Sequence, residues 1–126
     1  MKFKDFEALT AKMIEEETKI GKDKGIEYTQ GGQVDDRLSN FKKIGDEVKC
    51  VHCGKPVGPL VVLWVYMKKH LDSVLSYINR GKTFSDEPIE GRIKDVRVYC
   101  SLLRGLIQDE REGNEKGNRA GDVRRD

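Results

Sequence analysis

The chain has 126 residues, which is enough for one domain with a modest hydrophobic core. Hydrophobic and charged residues each make up 37%, so much of the charge must lie on solvated surfaces. The net charge of +2 gives no direct evidence for DNA or RNA binding, and the longest apolar run, PLVVLWVYM, is too short to cross a membrane. Three cysteines do not indicate a secreted disulfide framework, so we expect a cytoplasmic protein that does not bind membranes.

The first half of the chain contains two segments with the apolar spacing of amphipathic helices. The first covers residues 4–25, and Gly21 or Gly25 is expected to end it. A short helix is expected to follow, capped by Asp35 or Asp36. The residues expected to face the core from these two helices are Phe6, Leu9, Met13, Ile20, Leu38, Phe41 and Ile44.

The second half contains two further helical patterns. In residues 60–80 one apolar stripe is predicted, and Gly81 is placed to end the helix in a left-handed conformation. The last helix is expected to begin near Pro88, where the missing N–H of proline costs nothing. The stripe residues of the third helix are Trp64, Met67, Leu71, Val74, Leu75 and Ile78.

These patterns predict an all-α fold, because strand-like alternation is scarce. We expect a small helical bundle of three main helices plus a short one, with a Cys-x-x-Cys loop inserted before the third helix. Residues 1–108 would form this single domain. Residues 109–126 have almost no apolar side chains and are predicted to be a disordered, charged tail.

Carboxylates at the start of the last helix are candidate ligands for Mg²⁺. Glu87 and Glu90 are one helical turn apart, and Asp95 lies two turns beyond Glu87, with Gly91 between. Asp72 on the preceding helix is a further candidate, since Mg²⁺ uses few carboxylates together with phosphate and water. The alternative is that these acids only stabilise the positive end of the helix dipole.

Basic and polar residues form two candidate phosphate-binding groups. Lys69 and His70 lie beside one another in the third helix, where lysine could meet a phosphate and histidine could act as a base. Asp36, Arg37 and Asn40 lie together at a loop-to-helix corner whose backbone N–H groups could hold an anion. Ordinary helix capping and solvated salt bridges explain many of these residues equally well.

The string CVHCGKP contains Cys50 and Cys53 in the spacing of half a tetrahedral zinc site. Zinc requires four ligands, and the chain has no second Cys-x-x-Cys pair. Cys100, His52 or His70 could contribute, or a second chain could supply its own pair. A pair of free cysteines in a loop is the alternative.

The strings GIEYTQGG, DDRLSNFKKI, LWVYMKKHLDSVLSYINRGK and EPIEGRIKDVRVYCSLLRGLI resemble a group of small bacteriophage proteins over residues 10–108. That group is similar to nucleotide-modification-associated and MazG-like all-α nucleotide pyrophosphatases. The paired Glu-x-x-Glu of the enzymes has no clean match here, since Glu15, Glu16 and Glu17 are clustered and not spaced, and the segment VKCVHCGKPVGP looks like an insertion.

The resemblance implies a homo-oligomeric protein that handles nucleotides, in the host cytoplasm if it is phage-encoded. One expectation is a Mg²⁺-dependent nucleotide pyrophosphohydrolase with Glu87, Glu90 and Asp95 as catalytic acids and Asp72 as a further metal ligand. The other is a protein that binds a nucleotide without turnover and sequesters a host defence signal. The residues expected to bind the nucleotide are Asp36, Arg37, Asn40, Lys69, His70 and Arg92.

Overall fold

The computed structural model describes residues 1–28 and 36–123 and, within them, the side chains of residues 1–27 and 36–117. Four α-helices follow one another along the chain, and the described residues contain no β-strand, which confirms the all-α class. The helices are α1 (Phe3–Tyr28), α2 (Ser39–Glu47), α3 (Pro59–Arg80) and α4 (Ile89–Val123). None of the described helices combines the length and apolar character needed to span a membrane.

Helices α3 and α4 form the central pair of the bundle, with α2 packed on α3 and α1 packed on α4. The two most deeply buried side chains are Leu63 of α3 and Leu106 of α4, each with no exposed surface. Burying a leucine fully contributes about 1.5–3 kcal/mol relative to leaving it in water. The rest of the buried cluster comprises Leu38, Phe41, Val62, Met67 and Tyr99. Three helices therefore supply the core, and α1 adds little to it.

The N-cap of α2 is Leu38 and not the predicted Asp36, which lies two residues earlier and shapes the turn that leads into the helix. The Asp36 carboxylate accepts a hydrogen bond from the Leu38 N–H at 2.9 Å, and the Asp36 carbonyl accepts one from the Ser39 N–H at 3.1 Å. Asp36 thus closes the turn before the helix, while Leu38 occupies the N-cap position itself. Asp35, the other predicted cap, lies outside the described residues.

Helix α3 begins and ends as the sequence predicts, but it presents a different face to the core. Gly81 has a φ of 73° and donates its N–H to the Tyr77 carbonyl at 2.8 Å. Of the predicted stripe, Met67 is buried, whereas Trp64 is 52% exposed and Ile78 is 71% exposed. The reason is that α2 and α4 pack on the neighbouring face, which contains Leu63.

Helix α1 continues beyond both glycines that were expected to end it. Gly21 and Gly25 lie inside the helix, which runs to Tyr28. Its N-terminal apolar side chains are largely solvent-exposed, with Phe3 at 79% and Phe6 at 58%. The spacing of Phe6 predicted that it faces the core, but among the described helices α1 packs mainly on α4.

Helix α4 begins after Pro88, whose carbonyl accepts the Gly91 N–H at 3.0 Å, and it continues to Val123. It therefore includes part of the charged segment predicted to be disordered. Every side chain of residues 108–117 is exposed, so this segment adds nothing to the core, as its composition indicated. Strong helix formers and contacts one turn apart, such as Gln108 to Glu112 at 3.2 Å, favour the helical continuation.

A short hairpin joins α2 to α3. Lys49 and Pro56 form an isolated antiparallel bridge, and the Val57 N–H donates to the Val48 carbonyl at 2.8 Å. Below the bridge, the Gly58 N–H donates to the Gly45 carbonyl at 3.1 Å. The hairpin is thus closed at its base against the end of α2.

Candidate functional site

Asp95 is the predicted metal ligand that lies deepest in the bundle. Its side chain is 14% exposed, and it lies between a lysine and a histidine from two other helices. Asp95 Oδ1 is 3.7 Å from Lys24 Nζ of α1, and Asp95 Oδ2 is 3.4 Å from His70 Nδ1 of α3. The carboxylate therefore links three helices, and its charge is already offset by a lysine.

The other predicted metal ligands lie in separate contacts. Glu87 Oε2 is 3.1 Å from Arg92 Nε, Asp72 pairs with Lys68 one turn earlier, and Glu90 is exposed beside the groove between α1 and α4. Among the described residues, no three His, Cys, Asp or Glu side chains form a group that could hold a metal ion. A Mg²⁺ site at these acids would need them to exchange their present partners for the ion.

His70 is the buried polar side chain at the centre of this region. Its Nδ1 lies 3.2 Å from Arg92 Nη1, and its ring stacks on Tyr99 with 5.4 Å between ring centroids. Burial lowers the pKa of His70, and the cations Arg92, Lys69 and Lys24 lower it further, against the opposing effect of Asp95. A neutral ring with its proton on Nε2 can accept the Arg92 hydrogen bond at Nδ1.

The two contacts of His70 Nδ1 compete with one another. If Nδ1 carries the proton, it can donate toward Asp95, but it then cannot accept from Arg92. The lowered pKa favours a neutral ring, and the shorter distance to Arg92 favours the tautomer in which Nδ1 accepts. Arg92 is further held by the Ser85 hydroxyl, at 3.3 Å from its Nη2. His70 and Arg92, both predicted to bind a nucleotide, are thus brought into direct contact.

Arg37 lies apart from that network, in a cleft between α1 and α4. The cleft has a volume of about 390 Å³ and is bordered by Glu17 and by apolar side chains such as Ile14 and Leu102. Arg37 Nη1 is buried and has no hydrogen-bond partner among the described residues. Glu17, the acid that lines the cleft, is paired with Arg97.

The remaining predicted nucleotide-binding residues do not join either group. Asp36 is held by Lys42 Nζ at 2.6 Å, and this hydrogen bond, with that from the Leu38 N–H, lowers the pKa of Asp36 despite the opposing effect of burial. The same Lys42 amine lies 2.9 Å from Asp109 of α4, so Asp36 has a structural partner. Asn40 borders a small pocket of about 70 Å³, and Lys69 is exposed.

Sequence reasoning missed the ion pairs that α1 contributes. Lys24 to Asp95 and Arg97 to Glu17 both connect α1 with α4. The signal in the sequence was weak, because α1 is charged on several faces and no spacing rule relates it to residues more than 70 positions away.

The tip of the hairpin brings Cys50 and Cys53 close together. The Cys50 N–H donates to the Lys55 carbonyl and the Gly54 N–H donates to the Cys50 carbonyl, both at 2.8 Å, so the chain folds tightly around the pair. Hydrogen bonds from the Cys53 N–H, the His52 N–H and the Cys53 thiol lower the pKa of Cys50.

Comparisons of the chain with protein-family models, with curated proteins and with solved structures found no match. The site must therefore be interpreted from its own geometry.

Proposed function

We propose that this protein binds a nucleotide, with the guanidinium of Arg37, whose Nη1 is buried, holding the phosphate-bearing end in the cleft between α1 and α4. The observation that carries the proposal is the Arg37 Nη1 group, which is buried beside a cleft without a hydrogen-bond partner in the described part of the chain. Leaving a charged donor unsatisfied is costly, and an anion with several acceptor oxygens removes that cost.

The dimensions and lining of the cleft support the same proposal. Its volume of about 390 Å³ lies within the range of small-ligand pockets, roughly 300–1,000 Å³. Ile14, Val98 and Leu102 give it apolar surface on which a base or sugar can lie. The choice of a nucleotide over other anions follows the expectation drawn from the sequence strings.

Binding without turnover is the form of the proposal that the ion pairs favour. Three of the four predicted Mg²⁺ ligands, Asp72, Glu87 and Asp95, have a cationic partner within the protein. A carboxylate that already neutralises a lysine or arginine is a poorer ligand for a divalent cation, since that pairing must first be broken. The protein would then sequester the nucleotide, such as a host defence signal, and return it unchanged.

A Mg²⁺-dependent pyrophosphohydrolase is the second candidate, and the contact of Asp95 with His70 is the observation that favours it. A half-buried carboxylate beside a neutral imidazole could hold a metal ion and a proton acceptor in one place. In that case Lys24 would move from Asp95 to a phosphate oxygen when the ion binds.

The test is to incubate the full chain with nucleoside triphosphates and cyclic dinucleotides, with and without Mg²⁺, and to analyse free and released nucleotide by chromatography. We expect one nucleotide to be depleted from free solution and recovered intact after heating. Arg37→Gln should weaken binding by about 10- to 100-fold, the loss expected for a charge-assisted hydrogen bond.

Arg104→Gln is the matched control, because Arg104 is an exposed arginine of α4 outside the cleft. Equal affinity of Arg37→Gln and the unmodified chain, or no binding of any nucleotide, would refute the proposal. A Mg²⁺-dependent product that disappears in Asp95→Asn would establish the hydrolase instead.

A further inference from the structure

The hairpin between α2 and α3 has the backbone arrangement of a metal-binding knuckle. The Gly54 N–H closes a tight turn onto the Cys50 carbonyl, and Gly54 has a φ of 71°, which favours glycine at this position. Hydrogen bonding from the N–H groups of His52 and Cys53 lowers the pKa of the Cys50 thiol. Such N–H donors stabilise a thiolate and orient it, as the outer contacts of metal ligands do.

The two sulfurs are spaced for one ion. Cys50 and Cys53 lie close together at the tip of the hairpin. In a zinc tetrahedron with Zn–S bonds of about 2.3 Å, neighbouring sulfurs are about 3.8 Å apart. Two cysteines held together by one tight turn are placed to supply one edge of such a tetrahedron.

The described part of this chain offers this ion only half of its ligands. No third His, Cys, Asp or Glu side chain joins the pair among the described residues. Cys100 and His70, which could have completed the site, are on helices of the bundle, and His70 is engaged by Arg92 and Tyr99. A structural zinc site has four protein ligands, so two must come from another molecule.

We propose that two copies of this chain share one Zn²⁺, each contributing the thiolates of Cys50 and Cys53. The hairpin tip is accessible for this, since Cys53 is exposed and Val51 between the two cysteines is 95% exposed. A two-fold axis through the ion makes the two pairs equivalent, which is the usual symmetry of a homodimer. The four thiols release four protons to solvent as they bind the ion.

The surface next to the hairpin suits contact between the two copies. Val61, Trp64 and Val65 lie in the first two turns of α3, within about 10 Å of the hairpin base along the helix, and all three are exposed. Apolar side chains that close around a metal bridge exclude water from the thiolates and add buried area to a small interface. This proposal is independent of the nucleotide proposal, which concerns α1 and α4.

The experiment is to express the full chain with zinc, purify it without chelator under reducing conditions, and measure zinc content and molar mass. We expect one zinc ion for every two chains and the mass of a dimer. Removal of zinc by a chelator should convert the dimer to monomer, and added Zn²⁺ should restore it. Cys53→Ser and Cys50→Ser should each lose the zinc and dissociate the dimer at the concentration where the unmodified chain is dimeric.

Cys100→Ser is the matched control, because Cys100 is an exposed cysteine on α4. This variant should keep the zinc ion and remain a dimer. Circular dichroism of each variant checks that the bundle is still folded. A monomer with one zinc ion per chain would overturn the proposal, as would a protein without zinc. A disulfide between Cys50 and Cys53 in the reduced preparation, or a dimer that survives both chelator and Cys53→Ser, would overturn it as well.

Discussion

Gly45 shows how one missing side chain positions two helices. A Cβ at this position of α2 would lie 2.5 Å from the Gly58 carbonyl carbon and 2.6 Å from the Pro59 nitrogen. Both are backbone atoms at the start of α3, and the proline ring limits their freedom to move. The close approach of α2 to α3 therefore depends on glycine here.

Gly45→Ala should destabilise the protein by about 1–3 kcal/mol, because overpacking against backbone outweighs the gain of about 1 kcal/mol in helix propensity. Gly21→Ala is the matched control, since a Cβ at Gly21 of α1 meets nothing within 4 Å. That variant should be more stable by about 0.5–1 kcal/mol. Urea unfolding monitored by circular dichroism gives the free energy of unfolding of both variants. A stabilised Gly45→Ala variant would contradict the packing described for α2.

His70 should make stability depend on pH. Its folded pKa is lowered mainly by burial, so the unfolded chain takes up a proton at a higher pH than the folded chain. The stability contributed by neutral His70 is therefore fully present above the unfolded pKa of about 6.5 and is lost as pH falls through the lower folded value.

His70→Gln removes this titrating group and should flatten the dependence of unfolding free energy on pH over that interval. The control is His52→Gln, because His52 is exposed on the hairpin and should leave the dependence unchanged. Urea unfolding at a series of pH values gives the slopes. Equal slopes for His70→Gln and the unmodified chain would show that the burial of His70 has no such effect.

At the level of elements, α3 offers a direct comparison of its two apolar faces. Leu63 is fully buried against α2 and α4, whereas Leu75 on the same helix is 54% exposed. Leu63→Ala should cost about 2–5 kcal/mol, the range for leucine truncation in a packed core. Leu75→Ala should change the free energy of unfolding by less than about 0.5 kcal/mol, as for other surface positions. Similar losses in both variants would indicate that the exposed face is covered in solution.

The two faces of α3 also mark the limit of what the sequence could predict. The ends of α3 and the turn before α2 followed from Gly81 and Asp36, whose effects are local and depend on neighbouring residues. The choice of buried face did not, because both faces are apolar and only the partner helices decide between them. The partners of Asp95 could not be predicted from the sequence either, because Lys24 and His70 come from two other helices, α1 and α3.

At the level of the whole molecule, α4 is longer than the bundle that it supports. Its last residue in contact with another helix through an ion pair is Asp109, which meets Lys42 of α2. Beyond it, the side chains of residues 110–117 are exposed. Stability should therefore be concentrated in residues before Asp109, and the helix beyond it should depend on its own propensity.

Truncation after Glu112 should leave the melting temperature of the protein within about 2 °C of the full chain, because it removes no buried surface in the described residues. Calorimetry measures the change. Truncation after Leu103 is the opposite case, since it deletes the fully buried Leu106 and should prevent cooperative folding. A large loss of stability in the longer variant would show that the exposed helix has a partner in solution.

The hydrogen bond between Gly58 and Gly45 has a consequence for how this chain can change over time. Because it fixes the point where α3 leaves α2, the intervening loop can lengthen, shorten or exchange its sequence while the two helices keep their places. A new binding property can thus be inserted at this junction without disturbing the cleft between α1 and α4. The Cys-x-x-Cys hairpin lies at this junction, so its residues can be exchanged while the helices on either side keep their packing.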